Sequence, residues 1–159
     1  MQIDLIVVGG LKESYLLAAQ KEYLKRLQRY GSIQVIEVKE AREVKNASEA
    51  DIQKQLEEEA QSIREKLHPS TYLIGLVIEG KQLDSVAFSK QIENLLSYQS
   101  SHLTFLIGGS HGLSQEFKRE LDFMISFSAM TFPHQLMRII FLEQLYRAMR
   151  IRYNEPYHK

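Results

Sequence analysis

Short apolar runs alternate with helically spaced segments along the whole chain. Residues 3–8 (IDLIVV) carry a buried-strand pattern that stops at Gly9-Gly10. Apolar residues at 15, 16, 19, 23, 24 and 27 have helical spacing, and Gly31 ends that helix. IQVIEV (33–38) alternates as a strand does. Ser48 with Asp51 resembles a capping box with Asp in place of Glu, opening a charged helix that runs to about Leu67, before His68-Pro69. TYLIGLVI (71–78) predicts a strand with a turn at Glu79-Gly80. A helix over 84–97 follows, capped by Asp84. Then come a strand over 103–107, a short helix after Ser114 and a strand over 123–128.

The last segment, FPHQLMRIIFLEQLYRAMRI, places Pro133 in a first helical turn. Its apolar residues at 136, 137, 139 to 142, 145, 146 and 149 cover most of the circumference. A surface helix needs only one apolar stripe. The pattern therefore predicts burial on two sides, one against a sheet and the other against a second copy of the chain, in a homodimer.

The alternating order predicts an α/β fold, a mostly parallel sheet with helices on both faces, in one domain over residues 1–159. In such sheets ligands bind at the carboxyl ends of strands, beside a topological switch. Gly9-Gly10, Gly80 and Gly108-Gly109 fall at such ends.

Composition narrows the chemistry. There is no cysteine, which excludes disulfides and thiolate zinc sites. His68, His102, His111, His134 and His158 form no i, i+4 pair, so no metal is expected. The start of the chain has no basic segment ahead of its short apolar run, and no stretch is long enough to span a bilayer. A cytoplasmic protein without membrane contact is expected. Twenty basic and 20 acidic residues give zero net charge, unlike a strongly basic nucleic-acid binder. The charge is uneven, however. Residues 40–59 hold seven acids against three bases, and residues 138–159 hold five bases against two acids. These are solvated helix faces or, at the C-terminus, a surface for a polyanion.

GGSHG (108–112) fits G-x-S-x-G, the nucleophile elbow of serine hydrolases. Ser110 would attack, and Asp122 with His134 or His158 follow in the required order. Against this, the chain is short for that fold and lacks an oxyanion stretch, so a turn-forming Ser110 is favoured. G-x-x-x-x-G-K-[ST] is absent. Glycines after TFLI leave the backbone bare, open to a ligand or to another chain segment. His134 lies in a first helical turn, where the dipole disfavours a cation and suits an acceptor or general base. The tail RYNEPYHK sets Tyr153, Tyr157 and His158 beside Arg150 and Arg152, residue types that stack on and neutralise single-stranded RNA; a frayed end is the plainer alternative.

FLIGGSHGLS (105–114), ISFSAMTFPHQLMRIIFLEQLYRA (125–148) and the closing PYHK together resemble the RlmH family, ribosomal RNA large-subunit methyltransferases of the SPOUT superfamily. VGGLKESYLLAAQKEYLKRL near the start and the Y-x-x-x-L-x-I-E-G-K stretch at 72–81 match as well, so the resemblance spans the chain. It implies a SPOUT-type fold with a deep C-terminal trefoil knot. It also implies methylation of N3 of a pseudouridine in 23S ribosomal RNA, within the assembled ribosome, by a homodimer using S-adenosylmethionine and no metal. Carried onto this sequence, the cofactor-binding positions are Leu76, Gly108, Phe127, Ser128, Ala129, Met130, Thr131 and Phe132. Methyl transfer is an in-line displacement in which the protein aligns and deprotonates. His134, or Tyr157 with His158, is then expected to act on the N3–H, with Arg138 or Arg150 steadying the developing charge. Arg150, Arg152 and Tyr153 are candidate RNA contacts. A serine hydrolase at Ser110 and a non-catalytic RNA-binding factor are the alternatives.

Overall fold

The computed structural model describes residues 1–159. It contains β1 (Gln2–Val8), α1 (Ser14–Leu27), β2 (Ser32–Val38), α2 (Glu49–Arg64), β3 (Tyr72–Gln82), α3 (Ser85–Tyr98), β4 (His102–Ile107), α4 (Gln115–Lys118), β5 (Phe123–Ser126) and α5 (His134–Arg152). The strands form one sheet in the order β2-β1-β4-β3-β5, and every pairing is parallel. The expected α/β architecture is present.

The period-two alternation of the strands sorts their side chains between two cores. Ile3, Leu5 and Val7 of β1 join Leu103, Phe105 and Ile107 of β4 under α1, α3 and α5. Ile6 and Val8 point the other way and join Leu106, Ala60 and Ile63 of α2, and Phe117 of α4. Helices thus cover both faces, and β1 and β4 are mostly apolar because both their sides are buried; the polar exceptions Asp4 and His102 satisfy each other at 2.7 Å.

The capping residues act as their chemistry predicts. Ser48 and Asp51 form a reciprocal capping box, and the side chains of Asp84 and Ser114 accept from Ala87 and Phe117 backbone amides. Such caps satisfy amides that the first helical turn leaves free.

Two expectations need correction. Glu79-Gly80 is not a turn. β3 continues to Gln82, with a register shift against β5 between Leu76 and Lys81, so residues 77–80 bulge from the ladder. Gly80 makes this possible, because a Cβ there would stand 2.5 Å from the backbone carbon of Ile125. The last strand ends at Ser126 instead of residue 128, and the chain then turns through 127–133 into α5.

On α5 the buried set is Arg138, Phe141, Leu142, Leu145, Tyr146, Ala148 and Met149. Leu136 stays 42% exposed, and Ile139 and Ile140 are only half-buried. The apolar surplus read from the sequence is therefore real surface on the chain as it stands.

Candidate functional site

A cavity of about 730 Å³ opens at the carboxyl ends of β3, β4 and β5. Its walls are the β3 bulge, the loop 107–113 after β4, the segment 125–132 and the first turn of α5. Leu76, Phe127, Met130, Phe132 and Met137 give it apolar surface; Ser126, Ser128 and Thr131 add hydroxyls. Neighbouring carboxyl ends leave free space here because β3, β4 and β5 are not connected in spatial order.

Gly108 gives the loop its shape. A Cβ there would lie 2.5 Å from the carbonyl carbon and oxygen of Gly112. The amide of Gly112 donates to the oxygen of Gly109 at 3.0 Å, and Gly112 has φ of +72°, in the left-handed region. The bare backbone thus receives another chain segment, its own loop folded back, and that fold forms the cavity wall.

Ser110 has no nucleophile geometry. Its hydroxyl donates to Glu40 Oε1 at 2.9 Å, and its amide reaches the same oxygen at 3.4 Å. Asp122, the acid of the hydrolase reading, accepts instead from the Leu73 amide at 2.7 Å. Glu40 was not singled out by the sequence. It clamps the loop from the segment after β2, and its neighbour Glu59 accepts from the Ala41 amide at 3.0 Å. Burial, and secondarily the charge of Glu40, push the Glu59 carboxyl above its usual range, partly offset by the Ala41 bond.

His134 lies on the cavity wall, with its Nε2 3.7 Å from where a Cβ on Gly9 would stand; Glu40 Oε2 lies 3.3 Å from the same point. Gly9 itself has φ of +86°, and its side-chain-free Cα is flanked by both groups.

Among the proposed cofactor positions, Leu76, Gly108, Phe127, Ser128, Met130, Thr131 and Phe132 border the cavity; Ala129 is exposed and does not. Of the catalytic candidates the fold brings only His134 to the cavity. Arg138 is 1% exposed and turned beneath the β1–α1 loop, where it donates to Glu37 Oε1 and the Gly9 oxygen, each at 2.7 Å. It holds that loop and does not face the cavity. Tyr157 packs edge-on against Tyr146 and bonds Glu143, and His158 meets Arg147. Tyr146 lies nine residues beyond Met137, about 14 Å along the helix, so within one protomer the tail stays away from this cavity. Arg150 pairs with Glu155 at 2.7 Å, Arg152 approaches Glu93 at 3.8 Å, and Tyr153 stacks on Tyr30. The tail is folded down rather than frayed. No cluster of three or more potential metal ligands occurs, and no helix is long and apolar enough to cross a membrane.

Residues 1–158 match the family model described as "Predicted SPOUT methyltransferase". The chain is 46% identical, over all 159 residues and the full length of each relative, to proteins named Ribosomal RNA large subunit methyltransferase H from Exiguobacterium sp., Carboxydothermus hydrogenoformans and Enterococcus faecalis. Among solved structures it is similar in fold to a methylase-family protein of Haemophilus influenzae, with TM-score 0.54, 11% identity and coverage of 99% of this chain and 70% of that one. It is also similar to a methyltransferase of Legionella pneumophila bound to its cofactor SAM, with TM-score 0.50, 15% identity and coverage of 94% and 66%.

Proposed function

Because the chain belongs to the SPOUT methyltransferase family, with ribosomal RNA large subunit methyltransferase H proteins as full-length relatives, we propose that it is an S-adenosylmethionine-dependent rRNA methyltransferase. The substrate we assign is N3 of a pseudouridine in 23S rRNA of the assembled ribosome.

The carrying observation is the cavity at the ends of β3, β4 and β5. Its volume, about 730 Å³, suits a nucleoside-sized ligand. Its chemistry suits one as well: Leu76, Phe127, Met130 and Phe132 offer apolar contact to a purine, and Ser126, Ser128, Thr131 and loop amides offer polar partners. When bound, S-adenosylmethionine supplies an electrophilic methyl group on sulfur.

This chain's residues do the rest. The 108–112 loop and the 127–132 segment hold and orient the donor. His134, with its ring against Gly9 at the cavity edge, would take the N3 proton at an imidazole nitrogen, leaving N3 as the nucleophile. Tyr157 and His158 of the partner subunit are the second candidates, since the tail of the same protomer lies too far away. Arg150, Arg152 and Tyr153 form the RNA-facing surface. A chain of zero net charge has little non-specific hold on RNA, which favours a structured ribosome over naked RNA and a cytoplasmic site of action.

We read 127–133 as the threaded part of a C-terminal trefoil knot. β5 lies at the sheet edge beyond β3, yet α5 returns to pack Phe141 on Phe105 of β4, with centroids 4.7 Å apart. Leu136, Ile139 and Ile140 are the surface for a second copy; sedimentation as a single 18.5 kDa species at micromolar concentration would contradict the homodimer. The pocket reading is tested by calorimetric titration with S-adenosylmethionine. Saturable binding that Gly108→Val abolishes is expected. Equal binding by Gly108→Val would place the cofactor elsewhere.

A further inference from the structure

Glu79 and Lys118 are the only formally charged side chains on the cavity wall. They come from different elements, the β3 bulge and the end of α4, and form an ion pair. The Lys118 side chain is only 15% exposed, whereas Glu79 is 49% exposed and opens to solvent. Lys118 holds the Glu79 carboxyl below the usual range.

A half-exposed ion pair contributes about 0–1 kcal/mol to stability, so tying the rim together explains little of its presence. Both partners also keep unused bonding capacity. An ammonium has three donors, and Lys118 uses one; only one oxygen of Glu79 accepts from another residue. The remaining wall is apolar surface, hydroxyls, two imidazoles and backbone. S-adenosylmethionine has an adenosine end that fits such a wall and an amino-acid end that does not. That end carries one carboxylate and one ammonium, and an unpaired charge in a part-enclosed apolar cavity is costly.

We propose that Lys118 and Glu79 form the subsite for the amino-acid end of the cofactor. Lys118 donates to the ligand carboxylate and Glu79 accepts from the ligand ammonium, so that four charges alternate around a ring. The inference rests on the cavity being the cofactor pocket, and it adds a means of telling the full cofactor from fragments without the amino acid.

The test compares two ligands by calorimetry on the full-length protein. S-adenosylhomocysteine keeps the amino-acid end, and 5′-methylthioadenosine lacks it. The unmodified protein should bind the first more tightly. Lys118→Met, which keeps the length of the side chain, should cut that advantage by about tenfold, with methylthioadenosine affinity unchanged within twofold. Glu79→Gln should cut it by a smaller factor. Equal weakening of both ligands would mean that the pair merely shapes the rim, and an intact advantage would mean that it touches nothing charged; either overturns the subsite. If the unmodified protein bound neither ligand, the cavity reading itself would fall, and the subsite with it.

Discussion

Nη2 of Arg138 donates to the carbonyl oxygen of Gly9 at 2.7 Å, across 129 residues of sequence. The same guanidinium pairs with Glu37, reaches Gln20 Oε1 at 3.3 Å and leaves its Nε without a partner. One buried fork thus joins α5 to the glycine turn beside which His134 sits. Removing it leaves the Gly9 carbonyl without its donor, while the half-exposed Glu37 carboxylate can turn to water. Arg138→Met should lower unfolding free energy by about 1–3 kcal/mol, mainly through the unsatisfied carbonyl. Arg138→Lys should fall between it and the parent, because an ammonium cannot reproduce the fork. Urea denaturation measures both.

Gly80 and Gly108 are predicted to fail in different ways. At Gly80 a methyl group meets the backbone of Ile125, so Gly80→Ala must part β3 from β5 and should cost about 1–3 kcal/mol of stability. At Gly108 it meets Gly112 within one loop. Gly108→Ala should open that loop and weaken cofactor affinity at least tenfold, with a smaller loss of stability. Thermal unfolding and calorimetry on the two variants separate these outcomes.

Much of this architecture is legible in the residue pattern because it is local. The strand and helix periods of β1 and α1, the caps Ser48, Asp84 and Ser114, and the apolar excess on α5 are all set by near neighbours. What escapes is set at long range. Glu79-Gly80 carries turn chemistry, yet the strand continues, because the missing Cβ admits Ile125 from 45 positions later. Arg138 interrupts an apolar helix and resembles an active-site cation until Gly9 and Glu37 are folded against it. The site was legible in its glycines and in His134. Glu40, Glu79 and Lys118 were not, since isolated charges in sequence look like solvated faces. The docking of the tail onto Tyr146 and Tyr30 depends on packing that no spacing reveals.

The hydroxyl of Ser110 is committed to Glu40. Ser110→Ala should therefore retain methyl transfer within about tenfold, the loss reflecting one hydrogen bond to a charged acceptor. The parent should not be labelled by a fluorophosphonate. Labelling of Ser110 would revive the hydrolase reading.

Glu59 gives a pH signature. Its carboxyl binds a proton more tightly in the folded chain than in the unfolded one. Its ionisation therefore opposes folding, and stability is lost as pH rises through the raised folded-state value. Glu59→Gln keeps an acceptor for the Ala41 amide without the charge. The variant should be more stable than the parent at neutral pH, and the difference should vanish once the pH falls below the ordinary carboxylate range. Denaturation at pH 7 and pH 3 gives the comparison.

Incubating the protein with ribosomes and S-adenosylmethionine carrying a tritiated methyl group, then digesting the 23S RNA to nucleosides, shows which atom receives the methyl group. Label is expected in a single nucleoside that co-elutes with N3-methylpseudouridine, and none when His134 is replaced by Ala. Cofactor binding without any label in ribosomal RNA, or label on a different nucleoside, would contradict the proposed function.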